Sequence, residues 1–187
     1  ERIEAMSEDD LRHQRWVVEA SLVALLPGMH VAPTHNESVP APPALHGTTG
    51  SFREAALHAA RRIARHLGTR ALRQDDRVSW LGLTLLRERD WTIQPVGSDL
   101  YSGAAGIAFF LAYFDHVAGD DDSRAVAQTA VRQLTRRLAA TLEATDSSTA
   151  LPPSSLGAFG ALSGAVYALS HIGALWGDHD VIDLAER

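Results

Sequence analysis

Histidines are the residues of this chain best suited to metal binding or proton transfer, and nine are spread along it. No two of them lie at the i, i+4 spacing of a compact ligand pair on one helix. The chain has no cysteine, which excludes a thiolate zinc site, a cysteine nucleophile and a disulfide framework among these residues. His171 stands out because it falls in an apolar helical segment, although a hydrogen-bonded core histidine is the better interpretation.

Acidic residues offer no stronger catalytic pattern. Asp120, Asp121 and Asp122 precede Ser123 at the start of a predicted helix. Complementarity with the positive end of the helix dipole accounts for them without a bound cation. The chain also lacks a Walker loop, a nucleophile elbow, an HExxH pair and a dinucleotide fingerprint. We therefore assign no catalytic residue and no metal ligand.

Charge and hydropathy exclude several classes of partner. The net charge is −6 and the isoelectric point is about 5.8, whereas nucleic-acid binders and anionic-membrane binders present a basic face. The first residues, ERIEAMSEDD, lack the apolar core of a secretory signal. The longest apolar run is too short, and too rich in Gly and Ala, for a convincing membrane span. We expect a cytoplasmic protein that does not bind nucleic acid, and the sequence shows no strong membrane signal.

Three regions are predicted along the chain. Residues 1–27 hold a helix that begins at a Ser7–Asp10 capping box, and residues 28–50 form a proline-rich linker. Residues 51–187 form the main domain, which opens with an amphipathic helix closed by Gly68. The first residue is not Met and the last residues continue a helical pattern, so we expect a fragment of a longer protein.

A change of period predicts a β-hairpin in the main domain. Residues 78–86 and 91–96 are rich in Trp, Val, Ile and Thr, and the charged RERD segment separates them. A lone hairpin is marginally stable, so it should lie on the helices as a flap. Trp80 and Trp91 could form a ligand platform, but packing is the better interpretation.

Two charge-poor segments dominate the rest of the chain. The stretch SDLYSGAAGIAFFLAYF (98–114) predicts a helix capped by Ser98 or Asp99, and residues 160–176 predict a second helix ended by Gly177-Asp178. The first helix should be broken by GDDD (119–122). An amphipathic helix then starts at Ser123, with an apolar stripe from Val126 to Leu142, and a loop covers residues 146–157. A helix without a polar face must be surrounded by protein.

The two apolar segments align with each other. Gly106 falls on Gly164, Phe109 on Tyr167 and Leu111 on Leu169, a separation of 58 residues (164 − 106). Repeated pairs of an apolar inner helix and an amphipathic outer helix build a solenoid or a closed ring. Gly103, Gly106 and Gly164 would let neighbouring backbones approach where the inner helices begin, and Ala161 stands at the position of Gly103 in the second copy.

These motifs, in their order and spacing, resemble the class II lanthipeptide synthetases of the LanM type. The resemblance rests on DLYSGAAGIAFFLAYF (99–114), LGAFGALSGAVYALSHIGALWGD (156–178) and the preceding SWLGLTLL and WTIQPVGSDLY. MSEDDLRHQRWVVEASL (6–22) resembles the helix that joins the dehydratase and cyclase halves. The resemblance implies an all-α fold: part of a LanC-like α/α toroid carrying a small β-hairpin, with the cyclase domain starting at residue 51 and truncated.

The same resemblance implies a function in lanthipeptide and bacteriocin biosynthesis. The parent enzyme would dehydrate Ser and Thr of a precursor peptide, using ATP, and then add Cys thiols to the dehydro residues as lanthionine thioether rings. Zinc, held in the family by two cysteines and a histidine, would supply the thiolate. Those ligands are not in this chain, so the piece alone should be inactive.

Two other functions stay open. The chain could be a non-catalytic helical scaffold that binds a peptide, or part of another α/α-toroid enzyme such as a polysaccharide hydrolase, which would need a carboxylate pair. Asp99 and Tyr101, at the entrance of the first apolar helix, and His171, in the second, are the candidate substrate-contact residues.

Overall fold

The computed structural model of the chain describes residues 7–25, 49–87, 90–145, 157 and 161–187. Within them are six α-helices and two antiparallel two-stranded hairpins, which confirms the all-α class with small β additions. The elements are α1 (Glu8–Leu25), α2 (Thr49–Arg70), β1 (Leu72–Gln74), β2 (Arg77–Ser79), β3 (Leu81–Arg87), β4 (Asp90–Pro95), α3 (Ala104–Ala118), α4 (Asp121–Thr145), α5 (Ala161–Trp176) and α6 (His179–Glu186). Most of the predicted linker lies outside the described residues.

The chain divides into two compact units, and the smaller combines residues 1–52 with 81–95. In it α1 begins at the predicted capping box, because Asp10 N–H donates to Ser7 Oγ (3.2 Å) and Ser7 N–H donates to Asp10 Oδ2 (2.8 Å). The Ser7 hydroxyl also donates to Asp10 Oδ2 (2.8 Å), and the two bonds that this carboxylate accepts from Ser7 lower the pKa of the Asp10 carboxyl. α1 packs against β4, so the predicted hairpin is real and meets this helix.

The first strand of that hairpin starts later than the sequence suggested. β3 begins at Leu81, opposite Pro95, and residues 77–79 pair instead with residues 72–74. This second hairpin was not predicted, because its strands have only three residues each and show no alternation. Its turn contains Asp75, whose φ of 52° is left-handed backbone that Asp tolerates better than most residues.

The larger unit, residues 53–80 and 96–187, holds this short hairpin against α4. Val78 N–H donates to Gln133 Oε1 (3.2 Å), and Arg136 pairs with Asp76, which lowers the pKa of the Asp76 carboxyl. Trp80 follows β2 and is buried, and its indole N–H donates to the Leu67 carbonyl (2.9 Å). Trp80 is therefore a packing residue, as the sequence favoured.

The prediction that Gly68 closes α2 is wrong, since the helix continues to Arg70. Gly68 does not adopt the left-handed φ of a helix-ending glycine, in contrast to Gly119 (65°) and Gly177 (67°). Gly119 and Gly177 follow α3 and α5 directly, where the sequence placed the two ends.

The core of the larger unit lies between α3, α4 and α5. Leu111, Leu169 and Ile172 have the largest fully buried side chains of the described residues. On α4 the predicted apolar stripe is buried from Val126 to Leu138. The two charge-poor segments are therefore helices that pack into protein along one side, and their opposite sides remain half-exposed.

The predicted cap of α3 is wrong. The helix begins at Ala104 after Gly103, and neither Ser98 nor Asp99 caps it. Asp99 Oδ1 instead accepts the N–H of Ser102 (2.6 Å), which closes a turn ahead of the helix.

The start of α4 also differs from the prediction by a few residues. α4 begins at Asp121, and Asp120 Oδ2 accepts the N–H of Ser123 (3.0 Å). Ser123 therefore lies inside the first turn, where it is buried. At the start of α4 an aspartate, rather than the serine, therefore accepts the backbone donor.

The glycines at the start of α3, Gly103 and Gly106, are required by the backbone of the preceding loop. A Cβ on Gly103 would come within 2.6 Å of the backbone N and O of Asp99, and a Cβ on Gly106 would overlap the carbonyl oxygen of Leu100. The expected convergence of neighbouring repeats is thus not what excludes a side chain here, because the backbone that comes close is the loop just before the helix. Gly164 is buried in the first turn of α5.

No described helix combines the length and the hydropathy that a bilayer-spanning segment requires.

Replacement of Gly106 by alanine should destabilise the larger unit by about 1–3 kcal/mol, because the new methyl group must displace a backbone carbonyl. Urea unfolding measures the change. Gly68→Ala is the matched control: a Cβ there meets nothing within 4 Å, so it should stabilise the protein by about 0.5–1 kcal/mol. Equal stability of the Gly106→Ala protein and the parent would contradict the close approach of the loop.

Candidate functional site

Repeat-equivalent residues of α3 and α5 meet side by side. Phe109 and Tyr113 lie one turn apart on α3, and Tyr167 and His171 lie one turn apart on α5. The 58-residue separation relates Phe109 to Tyr167 and Tyr113 to His171. Because equivalent positions of two parallel, repeat-related helices face the same way, all four side chains lie on one surface. We call these four residues the aromatic face.

The rings of the aromatic face are in mutual contact, with Phe109 at the centre. Its ring centroid lies 4.7 Å from that of Tyr113, 6.1 Å from that of Tyr167 and 5.7 Å from that of His171. The rings of Tyr167 and His171 lie 4.4 Å apart with their planes tilted by 47°, and a hydrogen bond of 3.3 Å joins the Tyr113 hydroxyl to His171 Nδ1. These contacts fix the imidazole ring from three sides.

Burial shows which sides of the two helices touch. Three alanines of α3 are buried: Ala105, Ala108 and Ala112. Their repeat equivalents on α5 are only half-buried: Ser163, Val166 and Ser170. On α5 the reverse holds: Ala165 and Ala168 are buried. Their equivalents on α3, Ile107 and Phe110, are only half-buried. This asymmetry follows if the alanine side of α3 packs on the alanine side of α5, because small side chains allow close approach.

The two helices therefore use different sides for this contact. On each helix, the side that corresponds to the contact side of the other helix remains unused. The unused side of α5 carries Ser163, Val166 and Ser170, and that of α3 carries Phe110 and Val117, the latter 56 % exposed. An array built by the same operation would add a further inner helix at each of these sides. The arrangement agrees with a section of an α/α toroid.

The aromatic face is partly open to solvent and contains no Asp, Glu, Lys or Arg. Tyr167 is 49 % exposed and Tyr113 is 36 % exposed, while Phe109 and His171 are half-buried. The surface offers ring faces, two hydroxyls and an imidazole. Such a surface can pack against apolar or aromatic side chains and can exchange hydrogen bonds with a peptide backbone.

The three predicted contact residues fall in two places. His171 belongs to the aromatic face, where Tyr113 satisfies one of its ring nitrogens. Asp99 and Tyr101 lie in the loop before α3; Asp99 is occupied in the turn with Ser102, whereas Tyr101 is 88 % exposed. The predicted structural glycines Gly103 and Gly106 permit the fold of this same loop.

A separate cavity of about 700 Å³ lies at the other end of the helices. Its lining includes Asp115, Arg124 and Trp176. Asp115 has only 2 % of its side chain exposed, and Arg124 Nε donates to it at 2.9 Å. This pair ties the end of α3 to the start of α4, so the cavity contains a structural contact.

Metal ligation finds no support among these residues. In the ranges that the structure describes, no group of three or more His, Asp or Glu side chains is arranged to hold a metal ion. With no cysteine in the sequence, the residues present do not fit the two-cysteine, one-histidine zinc site that the resemblance implied.

Comparison with known proteins points to one family. Residues 94–186, from the end of β4 through α6, match the family described as "Lanthionine synthetase C-like protein". The match covers just under half of the chain and includes the whole aromatic face and its loop. A search of curated proteins gave no match. The region is thus similar to the LanC-like family, and at family level this supports a lanthionine-cyclase type of function.

Three residues of the aromatic face escaped the sequence analysis as site residues: Phe109, Tyr113 and Tyr167. The signal was present, because the alignment already placed Phe109 on Tyr167. Extending it by one turn would have placed Tyr113 on His171. Equivalent residues on adjacent repeat helices become neighbours, so the alignment alone indicates that these four side chains meet.

Replacement of Phe109 by leucine should lower the free energy of unfolding by about 0.5–1.5 kcal/mol, since aromatic pairs contribute that much beyond burial. The NMR signals of the His171 ring should move as well, because the neighbouring ring current is lost. Phe110→Leu is the control: it removes the ring stacked on Phe114 at 6.2 Å and should leave the His171 signals in place. Unmoved His171 signals in Phe109→Leu would contradict the described cluster.

Proposed function

From the LanC-like match over residues 94–186, we propose that this chain is the opening part of a lanthionine cyclase and that its aromatic face contacts the peptide substrate. The cyclase would belong to a bifunctional LanM-type synthetase, which dehydrates Ser and Thr before closing the rings. In this proposal α1 belongs to the junction between the two halves, and residues from 51 onward to the cyclase.

The aromatic face is the observation that carries the proposal. Four ring-bearing residues from two repeat-related helices form one half-exposed surface in the region similar to the family. Residues that serve only the core would be expected to bury such rings fully, as Leu111 and Leu169 are buried on the same helices. Exposed aromatic surface of this kind is typical of a binding site.

Ring closure can be assisted by a surface that binds and orients the peptide. In the ring-closing step a cysteine thiol loses its proton, its sulfur bonds to the β-carbon of a dehydroalanine or dehydrobutyrine, and a proton adds to the α-carbon. Holding the two groups together lowers the barrier, because a flexible peptide otherwise loses much conformational entropy. The residues of this chain would bind and orient the peptide, and the zinc implied by the resemblance would be held by residues elsewhere.

The hydrolase alternative lacks its carboxylates on this surface. Among the described residues, Asp99 accepts a hydrogen bond from Ser102, and Asp115 is buried against Arg124. Neither lies on the aromatic face. A glycoside hydrolase needs two carboxyl groups about 5–9.5 Å apart across the substrate.

The test of the proposal uses Tyr167→Ala in the longest natural protein that contains this chain, with a dehydrated, cysteine-containing precursor peptide. We expect KM for ring closure to rise about threefold to tenfold, because an aromatic contact is lost from a half-exposed surface. Alkylation of unreacted thiols, followed by mass spectrometry, measures ring closure. Ile63→Ala is the control, since Ile63 is similarly exposed (51 %) on α2.

The outcomes separate the candidate functions. If the parent protein leaves every thiol free in the presence of zinc, the cyclase proposal is wrong. Peptide binding without ring closure would instead favour the non-catalytic scaffold. An unchanged KM in Tyr167→Ala, with normal ring closure by the parent, would remove the aromatic face from the substrate site.

A further inference from the structure

We propose that Tyr101 is a preformed contact for an aromatic side chain of the peptide, and that Asp99 is a positioning residue that holds Tyr101 in place. This inference rests on the proposed function, because it takes the ligand to be a peptide. It goes further by naming the side-chain class that is recognised and by giving Asp99 and Tyr101 different roles.

Tyr101 contributes almost nothing to the packing of the chain. Its side chain is 88 % exposed, the highest value among the large hydrophobic residues that the structure describes as exposed. A single exposed apolar side chain is ordinary in itself. What distinguishes Tyr101 is the backbone that carries it.

Hydrogen bonds hold the loop of residues 96–103 at both ends and in the middle. Val96 N–H donates to the Trp80 carbonyl (2.9 Å), and Ala104 N–H donates to the Gly97 carbonyl (2.8 Å). Arg137 of α4 donates to Ser98 Oγ (2.7 Å). The loop is thereby joined to the β2–β3 connection, to α3 and to α4.

Asp99 closes the turn that contains Tyr101. Its Oδ1 accepts both the N–H (2.6 Å) and the hydroxyl (3.1 Å) of Ser102, which bridges over residues 100 and 101. A carboxylate that accepts two hydrogen bonds fixes a turn more strongly than a neutral acceptor does.

The glycines complete the same arrangement. Gly106 has no Cβ, so the carbonyl of Leu100 can lie against the first turn of α3. Gly103 allows the same close approach by Asp99. The residue immediately after Leu100 is therefore presented from a backbone that α3 itself supports.

A rigid loop makes an exposed tyrosine a good binding group. Tyrosine has only two side-chain torsions, and a fixed backbone leaves little further entropy to lose on binding. Tyrosines of this kind are frequent among the residues that dominate binding energy. The aromatic ring favours another aromatic ring, and α3 continues from this loop into the aromatic face.

The experiment measures binding to the 187-residue chain and needs no catalysis. Two fluorescently labelled linear peptides, each containing Ser, Thr and Cys, differ only by Trp or Ala at one central position. Fluorescence anisotropy gives both dissociation constants for the parent, Tyr101→Ala, Asp99→Ala and the double variant. Ile63→Ala is the control for an exposed apolar side chain on another helix.

We expect the parent to bind the Trp peptide about threefold to tenfold more tightly than the Ala peptide, and Tyr101→Ala to lose this preference. Asp99→Ala should weaken the preference although Tyr101 is still present. The double variant should be no weaker than Tyr101→Ala alone, because the two residues act through one contact. Ile63→Ala should bind like the parent.

Each other result has a definite meaning. If the parent binds both peptides but Tyr101→Ala keeps the preference, the inference is wrong and the proposed function is untouched. Additive losses in the double variant would overturn the positioning role of Asp99. If the parent binds neither peptide, the peptide-binding proposal itself fails, and this inference falls with it. Circular dichroism melting shows whether each variant is folded, and Tyr101→Ala should melt with the parent.

Discussion

The side-by-side packing of α3 and α5 is the interaction on which the rest of the larger unit depends. Ala105 and Ala112 of α3 and Ala168 of α5 are fully buried, and small side chains of this kind allow two helices to approach closely. Because the two helices are repeat-related, this approach also brings equivalent aromatic residues onto one surface. The same packing that completes the core therefore creates the aromatic face.

The start of α3 adds a second constraint, on the loop that carries Tyr101. Glycines at positions 103 and 106 allow the preceding loop to lie against the helix, where any side chain would displace the backbone. The loop in turn is held by Asp99 and by Arg137 of α4. A side chain at position 106 should therefore disturb both the start of α3 and the loop that carries Tyr101.

Strong periodicity and capping motifs allowed much of the fold to be predicted. The Ser7–Asp10 box, the apolar stripe of α4 and the glycines after α3 and α5 each have a local physical cause, and the structure confirms them. The errors in the predicted ends of α2, α3 and α4 have local causes. Asp99 closes a turn ahead of α3 instead of capping it, and Asp120 accepts the N–H of Ser123 at the start of α4. α2 continues past Gly68 because a helical glycine costs only about 1 kcal/mol.

The candidate site was harder to predict because it depends on contacts between helices. His171 was recognised from its place in an apolar segment, but its bond to Tyr113 spans 58 residues. Tyr101 was named for its position, whereas its exposure and the rigid turn beneath it follow from Gly106 and Arg137. Pair contacts of this kind have no local pattern in a single sequence.

The central claim is that the aromatic face of α3 and α5 touches the peptide substrate of a lanthionine cyclase. Site-specific photo-crosslinking tests it most directly, with p-benzoylphenylalanine placed at Tyr167 and, for comparison, at Ile63 of α2. The account predicts that irradiation joins a dehydrated precursor peptide to the probe at position 167, and that unlabelled peptide suppresses this product. Equal crosslinking at both positions, or none at position 167 while the peptide is bound, would contradict it.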